Sequence, residues 1–141
     1  MNLNAMVKYY LRHGVMTDPG KYEYLYGGLP DDIPDLVKVV QGVLIHVFHA
    51  HRYGVELSEA RIQEDINIRR VEDMLAKISK MDDRPIIHGR DYNHRLVGNC
   101  RDYSVMMTSL LRHKGVAARA RCGFGSYFEP GKYVDHWVCE Y

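Results

Sequence analysis

The chain has 141 residues, 19 Lys+Arg against 18 Asp+Glu, and a formal net charge of +1, a length that suits one domain with a real core. So even a balance supplies no field to draw in nucleic acid or an anionic membrane surface. The cysteines number three, an odd count, and no stretch approaches the ~20 apolar residues of a membrane span.

The opening "M-N-L-N-A-M-V-K-Y-Y-L-R-H-G" lacks the uncharged apolar run and small-residue cleavage site of a signal peptide. With the odd cysteine count, this gives a reducing, cytoplasmic setting as the expectation. Residues 3 to 13 fit a short helix. Turn-rich "T-D-P-G-K-Y" and "Y-G-G-L-P-D-D-I-P-D" follow. Between them Tyr22, Tyr24 and Tyr26 alternate with other residues and predict a brief extended piece used for packing. A helix is predicted from Pro34, behind Asp31 and Asp32, to about Arg52, with Gly54 as its stop. Leu36, Val40, Val43, Leu44, Val47 and Phe48 recur at helical spacing along it.

Ser58 reads as the cap of a further helix over 59–80, with Ile62, Ile66, Val71, Leu75 and Ile78 as its buried stripe. Residues 81–99, with Pro85, Gly89 and Gly98, read as a long connection. A third strong helix is predicted over 100–113, closed by Gly115, with Tyr103, Met106, Met107, Leu110 and Leu111 on its apolar side. "V-A-A-R-A-R-C-G" and "V-D-H-W-V-C-E-Y" read as two strands joined by "F-G-S-Y-F-E-P-G-K-Y". The expected class is α+β in one domain: a mainly helical region 1–80, a connecting loop 81–99, and a helix with an antiparallel hairpin over 100–141.

The position that calls for explanation is Cys100, at the predicted start of that helix behind the cap residue Asn99. A helix N-terminus carries partial positive charge and free backbone N–H groups. Both favour a thiolate, and the N–H groups suit an oxyanion. Arg101 adds a cation. Asp102 opposes the thiolate unless it serves as a capping partner of Asn99. A nucleophile also needs a base. The candidate is His136, beside the sole tryptophan, Trp137, on the second predicted strand. The bland alternative is a buried cysteine and a packed histidine.

The string "G-N-C-R-D-Y-S-V-M-M-T-S-L-L-R-H-K-G-V-A-A-R-A-R-C-G-F", followed by "D-H-W-V-C-E-Y", resembles the core of the transglutaminase-like superfamily. The shared elements are a cysteine opening a helix, "L-L-R" near its end, "G-V-A-A-R", a glycine ending the strand, and His-Trp on the next strand. They cover residues 96–141. The stretch from "M-T-D-P-G-K-Y" through "V-V-Q-G-V-L-I-H" resembles the leading region of a bacterial branch. The resemblance implies a papain-like fold, with Cys100 as nucleophile and His136 as base. The implied reaction is thiolate attack on an amide carbonyl, giving a thioester that water or an amine resolves. The substrate would be a protein or peptide-like amide, with no cofactor, nucleic acid or membrane.

The Cys100 N–H would be one oxyanion donor with Asn99 beside it, and Trp137 would shield the histidine. Two departures stand out. Histidine and tryptophan are adjacent here, where many members separate them by one residue. The orienting aspartate of the following strand is absent, because the chain ends at Tyr141. Asp135 would point to the opposite face of the strand. Glu140 would share the face of His136 but lie roughly 13 Å along it. Asp91 and Asp102 depend on the fold. The expectation is therefore a Cys–His dyad whose sheet is completed by further chain or by a second, strand-swapped copy.

Three other readings compete. A non-catalytic binding or scaffold module keeps the fold without the chemistry. A zinc site from Cys100, Cys122, His136 and Cys139 lacks paired spacing, and His136 and Cys139 would face opposite sides of a strand. His46, His49 and His51 would be partly exposed helix residues rather than metal ligands. "G-F-G-S" lacks the lysine and following helix of a phosphate cradle. Arg119 and Arg121 would share one side of a strand, suiting an internal ion pair or solvent rather than an acidic substrate.

Overall fold

The computed structural model describes residues 2–141. Helix α1 (Leu3–Tyr10) starts at Asn2, whose Oδ1 accepts the Ala5 amide at 2.9 Å. The tyrosine row that predicted an extended piece forms a 3₁₀ segment, Gly20–Tyr26. Among the described residues no strand pairs with it, and Pro19 and Gly20 (φ +53°) turn the chain into a helical path. Leu25 and Tyr26 point inward, and the Tyr26 hydroxyl shares a 2.7 Å hydrogen bond with Ser109.

Helix α2 (Ile33–Val43) begins as predicted, with Asp32 accepting from the Asp35 amide at 2.9 Å. It does not run to Arg52. At Leu44 the chain becomes extended and forms β1 (Leu44–His46). Tertiary packing overrides the helical spacing here. Gly42 closes against Gly89, its carbonyl accepts the Arg90 amide at 2.8 Å, and β1 pairs in parallel with β2 (Leu96–Gly98). The histidines 46, 49 and 51 therefore lie on a strand, a turn and a 3₁₀ segment (Ala50–Tyr53), not along one helix.

The helix expected over 59–80 is two. Ser58 caps α3 (Glu59–Ile66), and α4 (Val71–Met81) follows after a break. At the break the Asn67 side chain donates to the Gln63 carbonyl at 2.7 Å and the Val71 amide turns to the Met16 carbonyl at 3.0 Å. The two halves serve different partners. Asp65 of α3 accepts the Val97 amide of β2 at 3.0 Å, whereas Val71, Met74, Leu75 and Ile78 of α4 enter the main core.

The long connection is ordered by Arg90. Its buried guanidinium donates to the carbonyls of Asp82 (2.9 Å), Arg84 (2.5 Å), Pro85 (3.0 Å) and His88. The last part of this connection is not loop but a 3₁₀ turn (Tyr92–His94) and the buried strand β2.

Helix α5 (Cys100–His113) occupies the predicted span and stops before Gly115, at φ +75°. Leu110 and Leu111 are buried, and Arg112 ties the end of the helix to the carbonyls of Ala118 and Arg12, each at 2.8 Å. Strands β3 (Arg119–Gly125) and β4 (Val134–Glu140) form the antiparallel hairpin, in register from Arg119↔Glu140 to Gly125↔Val134. The hairpin packs on α5, which packs on α2. The fold is α+β. One apolar cluster runs from Leu25 through α2, α4 and α5 to Ala118, so the core joins the helical region to the 100–141 unit. Among the described residues, no helix is long and apolar enough to cross a membrane.

Candidate active site

The head of α5 is built by a close approach. A Cβ at Gly98 would sit 3.0 Å from Asp102 Cβ, so the glycine lets β2 end close against the first turn without crowding it. Asn99 then leaves the strand with extended backbone (φ −125°, ψ −174°), and its Oδ1 accepts the Arg101 amide at 3.0 Å. Asp102 Oδ2 accepts the Asn99 amide at 2.9 Å. This reciprocal cap satisfies orphan donors of the first turn and holds Cys100, half-buried, at its start.

Asp102 is therefore the capping partner that the sequence allowed. Its other oxygen accepts from Arg101 Nη2 at 2.6 Å and Nε at 3.0 Å. The arginine that was expected to favour a thiolate is turned to this carboxylate and to the Ile66 carbonyl at 3.3 Å. The two charges largely offset each other, leaving the helix terminus itself as the field acting on Cys100.

His136 stands opposite Gly123 on β4. The rings that meet it come from the hairpin loop: Phe128 at 5.0 Å between centroids and Tyr127 at 6.5 Å, both edge-on. Trp137, the expected shield, follows on the opposite face of the strand and stands across from Cys122. Cys139 makes the hairpin's contact to α5, with Sγ 3.2 Å from Thr108 Oγ1, and burial pushes its thiol pKa up.

Among the described residues, no hydrogen bond joins Cys100 to His136 and no carboxylate is bonded to that imidazole. Glu140 is held by Arg119 at 2.6 Å and Arg121 at 2.7 Å, which keep its carboxyl below the usual carboxylate range. Asp135 and Asp91 face solvent. No group of three or more side chains that could hold a metal ion is assembled among the described residues. Cys122 is exposed, while Cys139 is turned to Thr108.

No family model, curated protein or solved structure matches this chain.

One residue at this site was not singled out for it by the sequence. The β1–β2 register puts His46 beside Gly98, two positions before Cys100. Its ring lies 6.0 Å from Tyr103, one turn along α5, and 4.9 Å from His49. Burial lowers the His46 pKa from 6.5, with His49 and His136 adding to the effect and Asp102 opposing it. His46 also lines a cavity of about 350 Å³ with Tyr103, His49, Tyr53, Tyr92 and Arg95. Tyr53 and Tyr92 stack at 4.6 Å, the Arg95 guanidinium lies 4.1 Å from the Tyr92 ring centroid, and burial pushes the Tyr103 hydroxyl pKa up to about 12. No sequence period marks His46, because it reaches the site through a parallel pairing across 52 positions.

Proposed function

We propose that this chain is a transglutaminase-like cysteine acyl-transfer enzyme or amide hydrolase with a papain-like core, acting on a protein or peptide-like amide through Cys100 and His136. The observation that carries the reading is the capped head of α5. It presents a half-buried thiol at a capped helix N-terminus, with Arg101 and Asp102 paired to each other. The motifs spanning residues 96–141 support it by resemblance.

In this reading the thiol proton passes to His136. The thiolate adds to the acyl carbon, and the oxyanion takes a hydrogen bond from the Cys100 N–H, with Asn99 beside it. The carbonyl re-forms as the amine leaves with the proton from His136, giving a thioester. Water or a second amine then takes the acyl group and returns the thiol.

A non-catalytic binding module of the same fold is the second reading. Alternation along β4 favours it, directing His136 away from the face that Cys139 turns to Thr108, as does the lack of a carboxylate on the imidazole.

The two readings part on thiol chemistry. In a Cys122→Ser background, which removes the exposed cysteine, Cys100 is to be alkylated with iodoacetamide across a pH series. Rapid labelling below neutral pH, slowed by His136→Ala, is the enzyme's signature. Labelling no faster than that of a model thiol is the module's.

A further inference from the structure

We propose that His46 is an oxyanion donor of this site, presenting its Nε2–H to the carbonyl oxygen of an acyl group attacked by Cys100; the proposal rests on the acyl-transfer reading above. Three independent features of the fold lead to it. The first is register. His46 pairs with Gly98, so the two residues share a face of the β1–β2 pair. That face is turned to the first turn of α5, because a Cβ on Gly98 would meet the Asp102 side chain. The second is proximity, with the His46 ring 6.0 Å from Tyr103, which lies one turn beyond Cys100 on the same side of α5. Both rings line a cavity of about 350 Å³.

The third feature is tautomer. The Phe48 amide donates to His46 Nδ1 at 3.3 Å. A neutral imidazole that accepts at Nδ1 carries its proton on Nε2. Its second nitrogen is then a donor, not a base. This separates its role from that of His136. The groups facing the ring agree with that assignment: His49, Phe48 and Tyr103 pack around it, and burial with its histidine neighbours keeps it neutral against the pull of Asp102. A neutral donor stabilises a developing oxyanion without itself losing a proton.

In the step concerned, the Cys100 thiolate forms the C–S bond and the carbonyl π pair moves onto oxygen. His46 donates a hydrogen bond to that oxygen without transferring its proton. The pair then returns, and the leaving group departs with the bonding electrons. The same step occurs with 4-nitrophenyl acetate, where nitrophenolate leaves and the acetyl group stays on sulfur. Iodoacetamide is instead displaced at its CH₂ carbon, with loss of iodide and no oxyanion.

The ratio of Cys100 acetylation to Cys100 alkylation therefore isolates oxyanion stabilisation from thiolate formation. It is to be measured on the whole chain in the Cys122→Ser background, for His46→Ala and His46→Gln, with urea midpoints as the fold control. The ratio is expected to fall about 10²-fold in His46→Ala, the usual scale for loss of one such donor. His46→Gln, which keeps an N–H, is expected to recover part of it. A ratio unchanged in both variants overturns the proposal. If Cys100 of the parent reacts with neither reagent faster than a model thiol, the acyl-transfer reading falls and takes this proposal with it, a result distinct from an unchanged ratio.

Discussion

Asp102 Oδ2 accepts the Asn99 amide at 2.9 Å, while Asn99 Oδ1 accepts from the amide of Arg101. The two side chains thereby close the turn that holds Cys100. Replacing Asp102 by Ala removes a buried carboxylate, strands the Asn99 N–H and leaves the Arg101 guanidinium only its Ile66 contact. The expected loss is about 1–3 kcal/mol, read from the urea midpoint, with Asp102→Asn losing less because it keeps an acceptor.

Gly98 meets this turn from the strand side. An alanine there brings its Cβ to 3.0 Å from Asp102 Cβ, an atom that the cap prevents from yielding. Gly98→Ala is expected to cost about 1–3 kcal/mol as an overpacking change. Gly123→Ala, whose Cβ meets nothing within 4 Å, is the matched control and should cost less. Equal midpoints for the two variants would contradict the close approach.

Arg90 gathers four carbonyls of the 82–88 loop around one buried guanidinium. Arg90→Met leaves all four without that donor. The expected loss is about 3 kcal/mol, accompanied by protease cleavage within 82–90 under conditions where the parent resists. Arg84, exposed and paired to Asp82 at 2.6 Å, supplies the contrast, and Arg84→Met should shift the urea midpoint far less than Arg90→Met.

Two histidines make stability sensitive to acid. Burial lowers the pKa of both His13 and His46 from 6.5. For His13, Arg112 and His113 add to the lowering, while Asp18 and the Thr17 backbone carbonyl, as an acceptor, oppose it. A depressed folded pKa means that the unfolded chain takes up these protons first. Stability is then full above about pH 6.5 and is lost as pH falls toward the folded values. The urea midpoint should drop between about pH 7.5 and about pH 5.5, and His46→Gln should shrink the drop. A midpoint rising over that interval would refute the assignment.

Local chemistry made part of this molecule legible in the sequence. Asn99 as cap, Asp102 as its partner, the span of α5 and the Gly115 stop all follow from side chains acting within one turn. The hairpin, and Arg119 and Arg121 on one side of its first strand, follow from alternation; that Glu140 is their shared partner came from the strand register. The errors arose where distant chain intervened. The helical spacing through Leu44–Phe48 is real, but β2 offers those residues a strand partner 52 positions away, and Gly42 meets Gly89 at the point where the helix stops. The Ser58 helix breaks because its two halves answer to different neighbours.

The same division holds for the candidate site. The sequence alone put a thiol at a helix head, because capping requires only residues 99 to 102. Tertiary structure decided that His46 pairs beside Gly98, which rings surround His136 and which carboxylates are already engaged. Those relations cross dozens of residues, where no periodicity records them and only the packing of β1 on β2 and of the hairpin on α5 sets the distances.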